Sequence, residues 1–189
     1  MSNRQFNLPV PFTFQFNVTT AGTPEQLTVK KRGVTIAFND NSATHAADTI
    51  TDSGSGFVTA GFQVGDQLTV SGSASNDGTY VIASVVAGTI TLVASASLTA
   101  EIAGATVKLS APKTVPDGAG VTIKAKNANT GIIHIGYSSA TALNTAGGSF
   151  SLDNNESVGL QVENINNIWL DATVSEEGVE VIFEKNVQS

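Results

Sequence analysis

Val115-Pro-Asp-Gly-Ala-Gly-Val-Thr-Ile-Lys-Ala-Lys-Asn-Ala-Asn-Thr-Gly-Ile-Ile-His-Ile-Gly-Tyr137 is the stretch that decides how the rest of the chain is read. Val121, Ile123 and Ala125 fall on one face of an extended backbone, and Thr122, Lys124 and Lys126 on the other. That period of two marks a half-buried strand. Asn127 to Gly131 supplies residues that tolerate left-handed backbone and cap their own turns, after which Ile133, Ile135 and Tyr137 resume the alternation. The stretch predicts a β-hairpin with one apolar face. Two strands alone are marginal in water, so other strands have to cover that face.

Candidates lie on both sides. Downstream, Ser149 to Leu152, then Val158, Leu160 and Val162, then Ile168, Leu170, Ala172 and Val174, and finally Val179, Val181 and Phe183 all alternate. Upstream, Gln26 to Lys30 and Gly33 to Phe38 read as strands after a turn at Thr19 to Pro24. Between Asn39 and Pro112 the character changes to short β-like runs at Asp48–Thr51, Gln67–Ser71, Thr79–Val86, Thr89–Ala94 and Ala105–Leu109. Asp77-Gly78 is a tight-turn signal, and Leu98 to Ala103 is the one piece that reads as a helical turn. Strand after strand at this spacing predicts a small β-barrel or β-roll.

Charge separates the same segment from its surroundings. Its acids are Asp40, Asp48, Asp52, Asp66, Asp77 and Glu101 against Lys108 alone, a net −5 out of −7 for the chain. The expectation is an all-β protein: a jelly-roll-like β-sandwich of residues 1–38 plus 113–189, with residues 39–112 inserted as a small β-barrel or β-roll. In that division Gly33–Phe38 finds its partner in the outer sandwich. Insertions at surface turns are tolerated because closure entropy grows slowly with loop length. The alternative is one long sandwich.

Composition narrows the function classes. Hydrophobic residues are 41% of 189 and charged residues 13%, about half the usual charged fraction. With no basic stripe, nucleic-acid binding is not expected. The absence of cysteine rules out disulfides and thiolate metal sites. No apolar run reaches 18 residues and the N-terminus carries no signal pattern, so a soluble protein without membrane contact, made in the cytoplasm, is expected.

The residues that carry chemistry are sparse. His45 and His134 are the two histidines, and alternation puts His134 opposite Ile133 and Ile135, on a solvated face. Gly136-Tyr137-Ser138-Ser139-Ala140 lacks the second glycine of a nucleophile elbow, and neither a phosphate-cradling glycine loop nor a zinc-protease motif occurs. Asn76-Asp77-Gly78, with Asp66 or Asp52, resembles part of a calcium loop but lacks the later oxygen ligands and bidentate glutamate. Its residues are those that turns select. Glu180 and Glu184 alternate with Val179 and Phe183 and read as a solvated strand face. No catalytic residue, cofactor or metal is expected.

Contact residues are better represented. Val10, Phe12, Phe14, Phe16 and Val18 share one face, with Pro9 and Pro11 on the other. Proline removes ladder donors, so the segment reads either as an edge strand of the core or as an arm packed on a neighbouring subunit. Trp169, the single tryptophan, falls out of phase with Ile168, Leu170 and Ala172. It reads either as buried under a loop or the inserted module, or as an interface anchor. Phe12, Phe14, Phe16 and Trp169 are the candidate interface residues. Lys30-Lys31-Arg32 reads as a solvated loop.

Several of these segments resemble a known family. Val18-Thr-Thr-Ala-Gly-Thr-Pro-Glu-Gln-Leu27, the stretch 115–137, Leu152-Asp-Asn-Asn-Glu-Ser-Val-Gly-Leu160 and Asn167-Ile-Trp-Leu-Asp-Ala-Thr-Val174 look like a β-sandwich module of tailed-bacteriophage virion proteins. Gly61-Phe-Gln-Val-Gly-Asp-Gln-Leu-Thr-Val-Ser-Gly-Ser73, Asn76-Asp-Gly-Thr-Tyr-Val-Ile82 and Thr89-Ile-Thr-Leu92 are similar to a small β module of phage structural proteins. The resemblance implies a virion component without catalytic residues. The expected form is a capsid decoration (cement) protein on the head surface, partnered by the major capsid protein and by its own copies as a trimer. The alternative is a tail, baseplate or fibre adaptor whose insert binds host glycans.

Overall fold

The computed structural model describes residues 10–41, 47–94, 96–143 and 148–185; His45 and the start of the Phe6–Val18 segment, up to Pro9, lie outside them. Among the described residues the chain begins with strands β1 (Val10–Asn17), β2 (Glu25–Gln26), β3 (Val29–Gly33), β4 (Ile36–Asn39) and β5 (Thr49–Asp52), then a short helix α1 (Phe57–Ala60). Strands β6 (Gln67–Ser71), β7 (Gly78–Val86), β8 (Thr89–Leu92), β9 (Val107–Ala111), β10 (Val121–Ala125) and β11 (Ile133–Gly136) follow, then helix α2 (Ser139–Ala142). The last are β12 (Phe150–Leu152), β13 (Ser157–Leu160), a 3-10 turn at Ile165–Asn167, β14 (Trp169–Ala172) and β15 (Gly178–Lys185). The chain is all-β.

It divides into two compact units, one of residues 1–27 and 113–189, the other of Thr28–Pro112. In the first, β1 pairs with β15, β2 with β14, β10 with β13 and β11 with β12, all antiparallel. First meets last, second meets second-to-last, and so on inward. These are the nested pairings of one long ribbon folded back at the β11–β12 connection. The ribbon rolls up so that β10 also pairs with β15 and β11 with β14. The result is two four-stranded sheets, β1-β15-β10-β13 and β12-β11-β14-β2. This is an eight-stranded jelly roll.

Alternation explains which faces the roll encloses. From the first sheet Phe12, Phe14, Phe16, Val121, Ile123, Val179, Val181 and Phe183 are buried; from the second, Ile133, Ile135, Leu152, Leu170 and Ala172. Phe12 meets Phe183 edge-on at 5.2 Å between ring centres, a favoured aromatic geometry. Lys113 Nζ lies 5.1 Å from the Phe12 ring centre.

Two expectations change here. Val115–Tyr137 holds both of the strands read from it, but they are not a hairpin. β10 has β15 and β13 as its two neighbours, and β11 has β12 and β14. The residues between them form an arch from one sheet to the other, held by groups outside the stretch. Asn129, buried, donates through Nδ2 to Gly178 O at 2.9 Å and accepts from Gly178 N at 3.2 Å, so its side-chain amide imitates a ladder pair. Glu177 accepts hydrogen bonds from Thr130 N, Thr130 Oγ1 and Gly131 N. Burial would raise the Glu177 pKa, but these bonds outweigh it and hold the carboxyl below its usual value.

The second change is the boundary between units. Gly33–Phe38 was expected to pair in the outer sandwich; instead β4 pairs with β5 and β3 with β9, so Thr28–Phe38 belongs to the inserted unit. That unit is one antiparallel sheet ordered β3-β9-β6-β7-β8-β5-β4. Its edge strands β3 and β4 are joined through Val34 and Thr35 alone. Laid flat, seven strands at the usual spacing hold their outer members about 29 Å apart, whereas three Cα steps reach at most about 11 Å. The sheet therefore curls until its edges approach, forming a small barrel around Ile36, Phe38, Ile50, Leu68, Ile82, Ile90, Leu92 and Leu109. Leu98 to Ala103 makes no helical turn, because its donors are engaged elsewhere: Leu98 N to Asp48 Oδ2, Thr99 N to Asn76 Oδ1 and Glu101 N to Phe38 O.

Candidate functional site

The four candidate interface residues are placed by the jelly roll itself. On β1, Pro11, Thr13 and Gln15 face outward while Phe12, Phe14 and Phe16 are 6%, 4% and 1% exposed. β1 is an edge strand, as its proline requires, and its phenylalanines are core. The arm reading of these three is corrected: pairing with β15 along the whole of Val10–Asn17 turns their face inward. Trp169 is half-buried on the opposite side of β14 from Leu170. The apolar side chains left exposed on this unit include Tyr137 at 81% and Phe150 at 56%. Phe150 is in register with Ile135, and Tyr137 directly follows β11 in the chain.

His134 is not solvated. It does lie on the face away from the core, as alternation requires, but it is 8% exposed. Ser149 Oγ and Ser151 Oγ approach its Nδ1 at 2.9 and 3.2 Å. Asp171, fully buried, stands opposite it on β14, so serine, histidine and aspartate are neighbours. A nucleophilic relay needs the hydroxyl and the carboxylate on opposite ring nitrogens. Here both hydroxyls meet Nδ1, and Asp171 Oδ1 accepts from Gly22 N at 2.9 Å and Ala172 N at 2.8 Å. The cluster ties the turn before β2 and the β11–β12 region to β14. Sequence placed His134 on the right face, but could not show that Ser149 and Ser151 would close over it.

In the inserted unit the acidic side chains cap turns, Asp77 and Glu101 sharing the one at residues 72–76. Asp77 accepts from Gly72 N, Ser73 N and Ser73 Oγ, and Asp66 accepts from Gln63 N at 2.7 Å. Glu101 accepts from Ala74 N at 3.0 Å and Asn76 Nδ2 at 3.1 Å. Asp52 is a hub: Thr35 Oγ1 at 2.6 Å, Gly54 N at 3.0 Å and Gly56 N at 3.1 Å donate to it, and Lys31 Nζ lies 3.2 Å away. These carboxylates accept from protein donors, and among the described residues no three His, Asp or Glu side chains gather as a metal site would.

Asp52 carries a pH prediction. Burial alone would raise its pKa; bonds from Thr35, Gly56, Gly54 and Lys31 outweigh that and lower it below 3.8. A depressed folded-state pKa gives stability that is present above the unfolded value and lost as pH falls through the folded one. Asp52→Asn is expected to destabilise the inserted unit by about 2–3 kcal/mol at pH 7, the scale of charged hydrogen bonds. Urea titrations of both forms at pH 7 and below pH 3 check this: the gap between them narrows in acid. An equal gap at both pH values contradicts it.

The inserted unit also has a concave feature among the described residues. A depression of about 330 Å³ lies where β6 and β7 meet Val93, Ala96 and Ser97. Gln67, Thr79, Tyr80 and Ser97 supply its polar groups, and Val81, Val93 and Ala96 its apolar wall. Tyr80 Oη donates to Asn76 O at 3.0 Å, which fixes the ring. Sequence reasoning missed this place because its wall is completed by the segment after β8, where Val93 N bonds Val81 O. Only the polar alternation Gln67, Thr69 on β6 and Thr79 on β7 was available as a signal.

Compared with protein-family models, curated proteins and solved structures, the chain matches none.

Proposed function

We propose that this protein is a structural component of a tailed-bacteriophage virion, most specifically a decoration (cement) protein that binds and stabilises the head shell as a homotrimer. The observation that carries the reading is the complete jelly roll, interrupted between its second and third strands by a separate barrel. Jelly rolls recur in viral shells, and a rigid roll presenting an inserted module is suited to a surface lattice. The low charged fraction of 13% and the turn-capping use of the acidic side chains support it.

Burial of Phe12, Phe14 and Phe16 moves the proposed contacts elsewhere. Tyr137 and Phe150 are exposed aromatic residues of the roll, and aromatic residues are enriched at contact centres. The test mixes the purified chain with shells lacking decoration and follows co-sedimentation and shell melting, with light scattering for the free chain. The reading predicts binding, a raised shell melting temperature and a mass three times 19.4 kDa. A chain that neither binds shells nor protects them defeats it. The second reading, a tail or fibre adaptor whose insert binds host glycan, is favoured by one feature, the uncharged depression at Tyr80.

A further inference from the structure

Some polar side chains of the inserted barrel are not used by its fold, and three of them gather at one place. Around its turns, carboxylates and amides are consumed by backbone donors and acceptors: Asp52, Asp77, Asn76 and Glu101 each hold several. Gln67, Thr79 and Ser97, by contrast, make no side-chain hydrogen bond among the described residues. All three border the same depression, beside the half-buried Tyr80 ring and Val81, which is 39% exposed. Unused hydrogen-bonding groups around a partly apolar hollow are the makings of a ligand site.

We propose that this depression binds an uncharged saccharide unit, with the Tyr80 ring as stacking surface and Gln67, Thr79 and Ser97 as hydrogen-bond partners. A sugar ring presents a C–H face to the aromatic wall and a rim of hydroxyls, each both donor and acceptor. Amide and hydroxyl side chains match such a rim because they too donate and accept. No charged side chain lines the hollow, so it offers no charge-assisted bond to a phosphate, carboxylate or ammonium ligand. Burial and, after it, the Asp77 carboxylate raise the Tyr80 pKa, so the charge felt at the ring is negative and does not favour an anion. A volume of about 330 Å³ is at the small end for ligand sites, enough for one or two sugar rings. The opening is wide and the partners few, so binding is expected in the roughly millimolar range. The site belongs to the inserted unit alone, and the inference holds whether the jelly roll sits on a head or on a tail.

The experiment is saturation-transfer NMR on the full chain with methyl glycosides of galactose, glucose, mannose and N-acetylglucosamine, and with glucuronic and sialic acids as charged controls. At least one neutral glycoside should receive saturation on its ring C–H protons. Tyr80→Ala should weaken that binding about tenfold and Gln67→Ala about threefold, the scale of one stacking and one hydrogen-bonding contact, while Tyr80→Phe keeps the ring and most of the affinity. Gln67 is an exposed strand residue, so Gln67→Ala remains informative even if Tyr80→Ala perturbs folding. The inference is overturned if no neutral glycoside binds at about 20 mM, well above the expected range. It is also overturned if Tyr80→Ala and Gln67→Ala leave binding unchanged, or if the acidic sugars bind as well as the neutral ones. Shell co-sedimentation is a separate measurement, so failure here leaves the head-shell reading standing on its own test.

Discussion

Phe16→Ala should lower the stability of the jelly-roll unit by about 4 kcal/mol, the usual cost of emptying a phenylalanine site in a core. Phe16 is 1% exposed, its strand is paired along its full length with β15, and Val179 stands directly opposite it. For a unit of this size the loss lowers the thermal midpoint by roughly 15–30 °C, a large fraction of what a domain possesses. The neighbouring Gln15→Ala, on the outward face of β1, should change stability by no more than about 0.5 kcal/mol. The pair separates the two readings of the phenylalanine stripe. Were the stripe an arm docking on another subunit, Phe16→Ala would spare the stability of the isolated chain and impair assembly. Calorimetry of dilute protein distinguishes the two directly.

Gly178→Ala should be nearly as damaging through the opposite fault, excess volume. A Cβ on Gly178 would collide with the Phe16 carbonyl oxygen and come within 2.6 Å of Asn17 Oδ1 and 2.7 Å of Asn17 Cα. Those are largely backbone atoms of β1, so relief requires the edge strand to move away from β15. The same residue is fixed from the other side, where Asn129 bonds both its N–H and its carbonyl. Crowding of backbone by backbone is at the upper end of overpacking costs, about 3 kcal/mol. Gly159→Ala is the matched control: nothing lies within 4 Å of its Cβ position, and its effect should stay within about 0.5 kcal/mol. Equal midpoints for the two variants, measured by circular dichroism melting, would refute the close β1–β15 approach.

How much of this was legible in the sequence varies with the question. Alternation located most of the strands and their inward faces, because side-chain direction along a strand depends only on the parity of the residue. It did not reveal partners. Val121 and Ile133 look the same whether β10 and β11 lie side by side or in opposite sheets. What decides is Asn129 and Glu177 binding the arch to the β14–β15 region, contacts 46 to 49 residues apart in sequence. The boundary at Phe38 failed for a related reason. The change in charge begins at Asn39, but the ladder of the inserted unit begins at Val29, opposite Ala111. The depression at Tyr80 depends on where Val93, Ala96 and Ser97 are placed, and no periodic signal exists there.

Val29 and Ala111, at the two ends of the inserted barrel, face each other across one ladder. That pairing has a kinetic consequence. The roll must bring β2 and β10 into one structure although all of Thr28–Pro112 separates them in the chain. Once the barrel has closed, its entry and exit are a strand spacing apart, and the roll folds as if the insert were a short turn. Each doubling of loop length costs about 0.6 kcal/mol in closure entropy, and closing the barrel shortens the loop from β2 to β10 by about three doublings, so its prior folding accelerates the roll by up to about 20-fold. The barrel's own pairings span shorter stretches of chain, which favours its folding first. Trp169, the only tryptophan, lies in the roll, so its fluorescence in stopped-flow refolding follows that unit alone. Asp52→Asn, by weakening the barrel, is expected to slow the tryptophan phase by up to that factor and leave its amplitude intact.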